Sequence, residues 1–202
     1  MRSDRLKIAV LVKRFITTGG LERYACEITR RLLEKGHAID LYARVADEEL
    51  SKGMTVYRIP DKYRFVNVLN SASFAVETAR MLRDKDYDII HSHERGYRQD
   101  VLTLHTLSYK GATRSYSLLK KIDRVYLSPR SALYLWLESR QMRTQSLVAV
   151  SLTVKEDILT NYARHGGVSI IPPGIDTVWF NPKWVAENRE KIRRDGSRAF
   201  HR

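Results

Sequence analysis

The feature that most constrains this chain is an alternation of short β-rich apolar runs with segments of helical period, repeated along most of its length. Residues 7–13 (KIAVLVK) form an unbroken β-rich run, the mark of a central parallel strand covered on both faces. After a loop over 14–20, apolar residues fall at Leu21, Tyr24, Ala25, Ile28, Leu32 and Leu33. That spacing gathers them on one helical face, and Gly36 provides the stop. Residues 37–43 predict a second strand, completing a βαβ unit whose crossover is right-handed. Further strands are predicted over 54–59, 87–91, 101–105, 147–150 and 168–171, and helices over 67–85, 118–143, 153–163 and 183–194. This order predicts an α/β fold, a doubly wound parallel sheet of Rossmann-like type. With no internal repeat and no linker rich in Gly, Ser and Pro, one domain is expected over 1–182, followed over 183–202 by a closing helix or the start of a linker.

Composition narrows the partners. The 202 residues carry 36 Lys plus Arg against 23 Asp plus Glu, a net charge of +13, which favours nucleic acid, an anionic leaflet or phosphorylated small molecules. Zinc-finger spacing, an RNP-type aromatic motif and a leucine zipper are all missing, so nucleic acid is not expected as a partner. A single cysteine, Cys26, makes no internal disulfide and belongs to no CxxC, which reads as a small core residue in a reducing compartment. The apolar run Ile8 to Val12 is shorter than the roughly 7–15 residues of an export signal. Nothing approaches the roughly 18 apolar residues of a membrane span, so a cytoplasmic location is expected.

In an open parallel sheet the ligand lies beyond the carboxyl ends of the strands. The residues following the predicted strands are Lys13 and Arg14 with Thr17-Thr18-Gly19-Gly20, then His91, His93 and Glu94, then His105 and Thr106, then Ser151, then Pro172-Pro173-Gly174. All fall on one rim, which makes Lys13, Arg14, Gly19, Gly20, His93 and Thr106 candidates for substrate binding. Gly19-Gly20 lets a ligand approach the backbone at the start of a helix, yet it matches neither a dinucleotide fingerprint nor a P-loop and also reads as a plain turn. His91 and His93, two apart, share a face. With His105 they admit three readings: zinc ligands, hydrogen-bonding partners for sugar or phosphate, or satisfied core groups.

Between Tyr109 and Arg143, eight cations interleave with Tyr109, Tyr116, Tyr126, Tyr134 and Trp136, opposed only by Asp123 and Glu138. Basic residues mixed with interfacial aromatics suit an anionic bilayer surface, with Lys120, Lys121, Arg124, Tyr126 and Trp136 as the contacts. A solvated face over a core-facing helix is the alternative. Ser128-Pro129 predicts a cap that splits the segment in two.

Five stretches together, KIAVLVKRFITTGGLERYACEITRRLLEKGHAIDLY, DIIHSH, LTLHT, LVAVSLTVKEDI and IIPPGIDTVWFNP, resemble the amino-terminal half of retaining glycosyltransferases of family 4, which have the GT-B fold. Within the family, the GGLER opening, the basic aromatic segment and PPGI look most like the lipopolysaccharide core glucosyltransferases. The resemblance implies a metal-independent transfer, with no cofactor, of a sugar from a nucleotide-sugar to an acceptor hydroxyl. The amino-terminal half would hold the sugar acceptor, and a carboxyl-terminal domain, for which nothing after Arg202 remains, would hold the nucleotide. By position, Gly19 and Gly20 match the loop approaching the donor diphosphate, His105 the histidine near the transferred sugar, and Thr106 its neighbour. On this reading His105 is the catalytic candidate, the chain alone is inactive, and it works at the inner face of the cell membrane. The rival readings are a non-enzymatic module binding anionic lipid or glycan, and a zinc hydrolase using His91, His93 and His105.

Overall fold

The computed structural model describes residues 5–63, 65–114, 116–117, 128–162, 164, 167–174, 177, 183, 188–190 and 193. The chain divides into two compact units, Met1–Pro172 and Pro173–Arg202. Every element below belongs to the first.

Strand β1 (Lys7–Leu11) is an interior strand of the sheet, and its residues feed two cores in alternation. Ile8, Val10 and Val12 pack on one side with Ala25 and Cys26 of helix α1 (Gly20–Glu34) and with Ile39 and Leu41 of strand β3 (Ala38–Ala43). Ala9 and Leu11 pack on the other side with Phe74 of helix α2 (Asn67–Met81), Tyr42 and Ile90. Burial on both faces explains an apolar run without polar alternation, each Val, Leu or Ile contributing about 1.5–3 kcal/mol. Helix α1 ends as its sequence predicts, because Gly36 takes φ 90° and its N–H returns to the Leu33 carbonyl.

The remaining strands are β5 (Thr55–Arg58), β6 (Ile89–Ser92), β7 (Val101–Leu104), β8 (Ser146–Ala149) and β9 (Val168–Ile170), all in parallel pairing. Their order is β5-β3-β1-β6-β7-β8-β9. The chain therefore runs outward from β1 through β3 to β5, returns to β6 on the other side of β1, and runs outward again to β9. That is a doubly wound sheet with its switch point between β1 and β6, where Leu11 pairs Ser92. Helix α4 (Pro129–Gln141) and helix α5 (Leu152–Tyr162) flank the second half, whose core gathers Leu102, Met142, Leu147, Ala149, Val154 and Ile158.

Each predicted strand is present, with ends shifted by a residue or two. Two features were not predicted. Strands β2 (Arg14–Phe15) and β4 (Val45–Ala46) form a separate two-residue parallel ladder, too short to leave a periodic signal. A single turn, α3 (Tyr109–Ala112), is capped by Ser108, whose Oγ accepts from the Gly111 N–H at 2.9 Å. The helix predicted over 67–85 stops at Met81. Helix α4 starts where Ser128-Pro129 predicts, Ser128 accepting from the Ser131 N–H at 3.4 Å. Residues 118–127, including Lys120, Lys121, Arg124 and Tyr126, lie outside the described residues, as does most of the helix predicted over 183–194.

Candidate functional site

Three histidines meet at the carboxyl ends of β6 and β7, His91 within β6 and His93 and His105 just past the two strands. The His93 N–H donates to the Leu11 carbonyl at 2.9 Å, continuing the ladder one residue past β6 and fixing the ring above the switch point. His91, two residues earlier, lies on the same face with its ring centroid 4.4 Å away, and its Nε2 is 2.8 Å from Thr103 Oγ1. His105, the residue after β7, brings Nε2 to 3.2 Å from His93 Nδ1. Tyr24 of α1 presses edge-on against His105 at 5.0 Å and against His93 at 6.1 Å.

Burial governs the charge of this cluster. It pushes His91 and His105 each down to about 4 and His93 well below the ordinary histidine range. His105 lowers His91 further, and Glu22 partly opposes the fall at His105. At neutral pH all three rings are therefore uncharged and act as hydrogen-bonding groups. The facing nitrogens of His93 and His105 bond to each other instead of turning toward a common point, and among the described residues no group of His, Cys, Asp or Glu is arranged to hold a metal ion.

The other rim candidates have distinct environments. Lys13 spans the switch point: its Nζ lies 3.2 Å from a Glu94 carboxylate oxygen and 3.0 Å from Ser71 Oγ, so its charge is already compensated. Arg14 is exposed on β2. Gly19 is the N-cap of α1, and the Glu22 carboxylate lies where a side chain at 19 would go. Gly20 has open space where a Cβ would project, and neither glycine has a positive φ. Glycine here leaves room instead of permitting an unusual backbone.

A cleft of about 90 Å³ opens beside the histidines, lined by Leu21, His93, His105, Thr106, Glu138 and Gln141 among others. The structure thus unites His93, His105 and Thr106 in one cavity, while Lys13, Arg14, Gly19 and Gly20 lie outside its lining. Thr106 is exposed at the mouth.

Glu138 is the residue sequence reasoning misplaced. Read as a counter-charge within the basic segment, it is in fact 2% exposed. Its carboxylate accepts from the Tyr109 N–H at 2.7 Å, the Lys110 N–H at 3.2 Å and the Tyr162 hydroxyl, with the Arg95 guanidinium 3.7 Å away. Arg95 in turn lies over the Tyr134 ring at 5.2 Å. One carboxylate thereby ties α3, α4 and α5 to the loop after β6, and so braces the cleft wall. Leu137, Glu138 and Gln141 share the buried stripe of α4, but polar residues in that stripe leave no apolar signal in the sequence. Trp136, on the opposite face, is 48% exposed and lies under the Arg140 guanidinium at 5.5 Å, beside Tyr97.

Comparison with known proteins gives this geometry a family. Residues 18–179 match Glycosyltransferase Family 4. The D-inositol 3-phosphate glycosyltransferase of Nocardiopsis dassonvillei is 26% identical over 184 residues, which cover 81% of this chain and 43% of that protein. Its namesake in Acidothermus cellulolyticus is 25% identical over 209 residues, covering 86% and 43%. Among solved structures, WaaG, a glycosyltransferase involved in lipopolysaccharide biosynthesis, superposes with a TM-score of 0.72 at 18% identity, over 84% of this chain and 45% of that one. Sucrose-phosphate synthase from Thermosynechococcus elongatus gives a TM-score of 0.65 at 17% identity, over 94% and 53%. At such identities the two structures speak for the fold, one half of a GT-B architecture. The chain spans less than half the length of these curated relatives. Over that span, the chain belongs to glycosyltransferase family 4 and corresponds to the amino-terminal half of its members.

Proposed function

We propose that this chain is the acceptor-binding half of a retaining glycosyltransferase. The reaction moves a sugar from a nucleotide-sugar to a hydroxyl of a glycan or lipid-linked acceptor, without a metal ion, in cell-envelope polysaccharide or lipopolysaccharide synthesis. The observation that carries this reading is the convergence of His93, His105 and Thr106 on one cleft beside the β1/β6 switch point. Neutral imidazoles and an exposed hydroxyl suit a polyhydroxylated ring, which needs hydrogen-bonding partners and no counter-charge. The open space over Gly20, next to the partly positive amino terminus of α1, leaves an approach for the donor diphosphate. The nucleotide itself falls to a carboxyl-terminal domain, so these 202 residues alone turn over no donor.

A net charge of +13 and the basic aromatic segment support work at the anionic inner face of the cell membrane. Among the described residues no helix is long and apolar enough to cross a membrane. Family membership favours the transferase over the non-enzymatic binding module.

Amide-shift mapping of the 202-residue chain with simple sugars and polyol phosphates tests the acceptor reading. Shifts centred on His93, His105 and Thr106 are expected, and saturable binding that leaves these three unmoved refutes it. Turnover of any nucleotide-sugar by the purified chain refutes the inactivity of this half.

A further inference from the structure

His93 is the more deeply buried of the two histidines that line the cleft. It is 4% exposed, and its Nε2 is buried with no hydrogen-bond partner among the described residues. Its other nitrogen, Nδ1, lies 3.2 Å from His105 Nε2, so one of the two donates and the other accepts. Both rings are neutral, because burial depresses both, and each therefore carries a single proton.

Two arrangements meet that contact. If His105 donated from Nε2, His93 would hold its own proton on Nε2, an N–H sealed in the interior with nothing to receive it. If His93 donates from Nδ1, its buried Nε2 is a bare lone pair. Orphaned buried N–H groups are rarer in native proteins than under-used acceptors, which selects the second arrangement. The consequence appears one ring further on. With Nε2 of His105 committed as an acceptor, its only proton is on Nδ1, and of the two histidines lining the cleft His105 is the less buried.

We propose that His93 is a positioning residue that holds His105 in its Nδ1–H tautomer, so that His105 meets a substrate oxygen as a hydrogen-bond donor and not as a base. His91, its ring tilted by 39° against His93 at 4.4 Å and bonded to Thr103, steadies the His93 ring. The substrate oxygen belongs to the sugar-transfer reading of the cleft, on which that part rests; the tautomer itself does not.

Long-range 15N imidazole spectra of the 202-residue chain at neutral pH read the tautomer without any sugar or turnover. The His105 Nε2 is expected in the unprotonated range and its Nδ1 in the protonated one. His93→Leu removes the donor, and the His105 proton should redistribute toward Nε2. His93→Asn, whose amide N–H can occupy the place of Nδ1, should restore the original pattern. A His105 protonated on Nε2 in the unaltered chain overturns the proposal, as does a pattern unchanged in folded His93→Leu. Should His93→Leu not fold, the unaltered chain and His93→Asn still decide. Because no ligand enters the measurement, failure of the transferase reading would appear in the sugar-mapping experiment and leave this result standing.

Discussion

The histidine cluster should make this domain acid-labile in a calculable way, and His91 offers the cleanest test. Its folded-state value is about 4 against 6.5 in an unfolded chain, chiefly because burial penalises the charged ring. Between those two values the unfolded state binds a proton that the folded state refuses, so stability rises with pH across this window and falls on acidification. At pH 5 the unfolded ring is almost fully protonated while the folded ring is about one-tenth protonated, which makes the loss from pH 7 to pH 5 about 2 kcal/mol. Partial solvent access reduces the expected figure to about 1–2 kcal/mol. His91→Gln is the informative variant, since an amide at the position of Nε2 can keep the 2.8 Å contact to Thr103 while removing the titration. Urea unfolding of both chains at a series of pH values between 7 and 5 should show the variant losing less stability by that amount. Parallel curves for the two chains would refute the assignment of acid lability to this ring.

Three further outcomes follow from the same geometry. Glu138→Ala strips the shared acceptor from Tyr109, Lys110 and Tyr162 and leaves Arg95 unpaired, so chemical denaturation should show a loss of about 3–5 kcal/mol, with Glu138→Gln losing less. Gly20→Ala meets open space at a position without positive φ, so thermal unfolding should show it neutral or stabilised by about 0.4–1 kcal/mol, while in a two-domain family member carrying this half, turnover should fall because the methyl enters the donor's approach. For the basic segment, replacing Lys120, Lys121 and Arg124 with Ser should weaken co-sedimentation with anionic vesicles, each cation contributing about 1 kcal/mol near such a surface, and equal binding to neutral and anionic vesicles would discard the membrane contact.

Cys26 shows how a bland reading and the structure agree. It is 2% exposed beside α1's core partners, and burial, with help from the Glu27 charge, pushes its thiol up to about 12, which leaves it unreactive at neutral pH. Of the membrane-contact candidates, Trp136 is half exposed, and Lys120, Lys121, Arg124 and Tyr126 fall outside the described residues.

The sequence by itself determined the sheet, its parallel sense and the rim on which chemistry collects. It could do so because those properties follow from local periodicity: a strand buried on both faces must be continuously apolar, as from Ile8 to Val12, and residues just past such a run must lie at its carboxyl end. It also determined the stops, since Gly36 and Ser128-Pro129 act through their own backbone chemistry. Only the tertiary structure decided which rim residues meet. His93 and His105 stand 12 positions apart and touch because β6 and β7 are neighbours, whereas Lys13 is drawn aside by Glu94, 81 positions away across the switch point. Glu138 was legible as a charge but not as a buried one, because its partners arrive from α3, α5 and the loop after β6. Periodicity encodes which face of an element turns inward; the identity of the groups it meets there depends on how distant segments pack, and that information is spread over the whole fold.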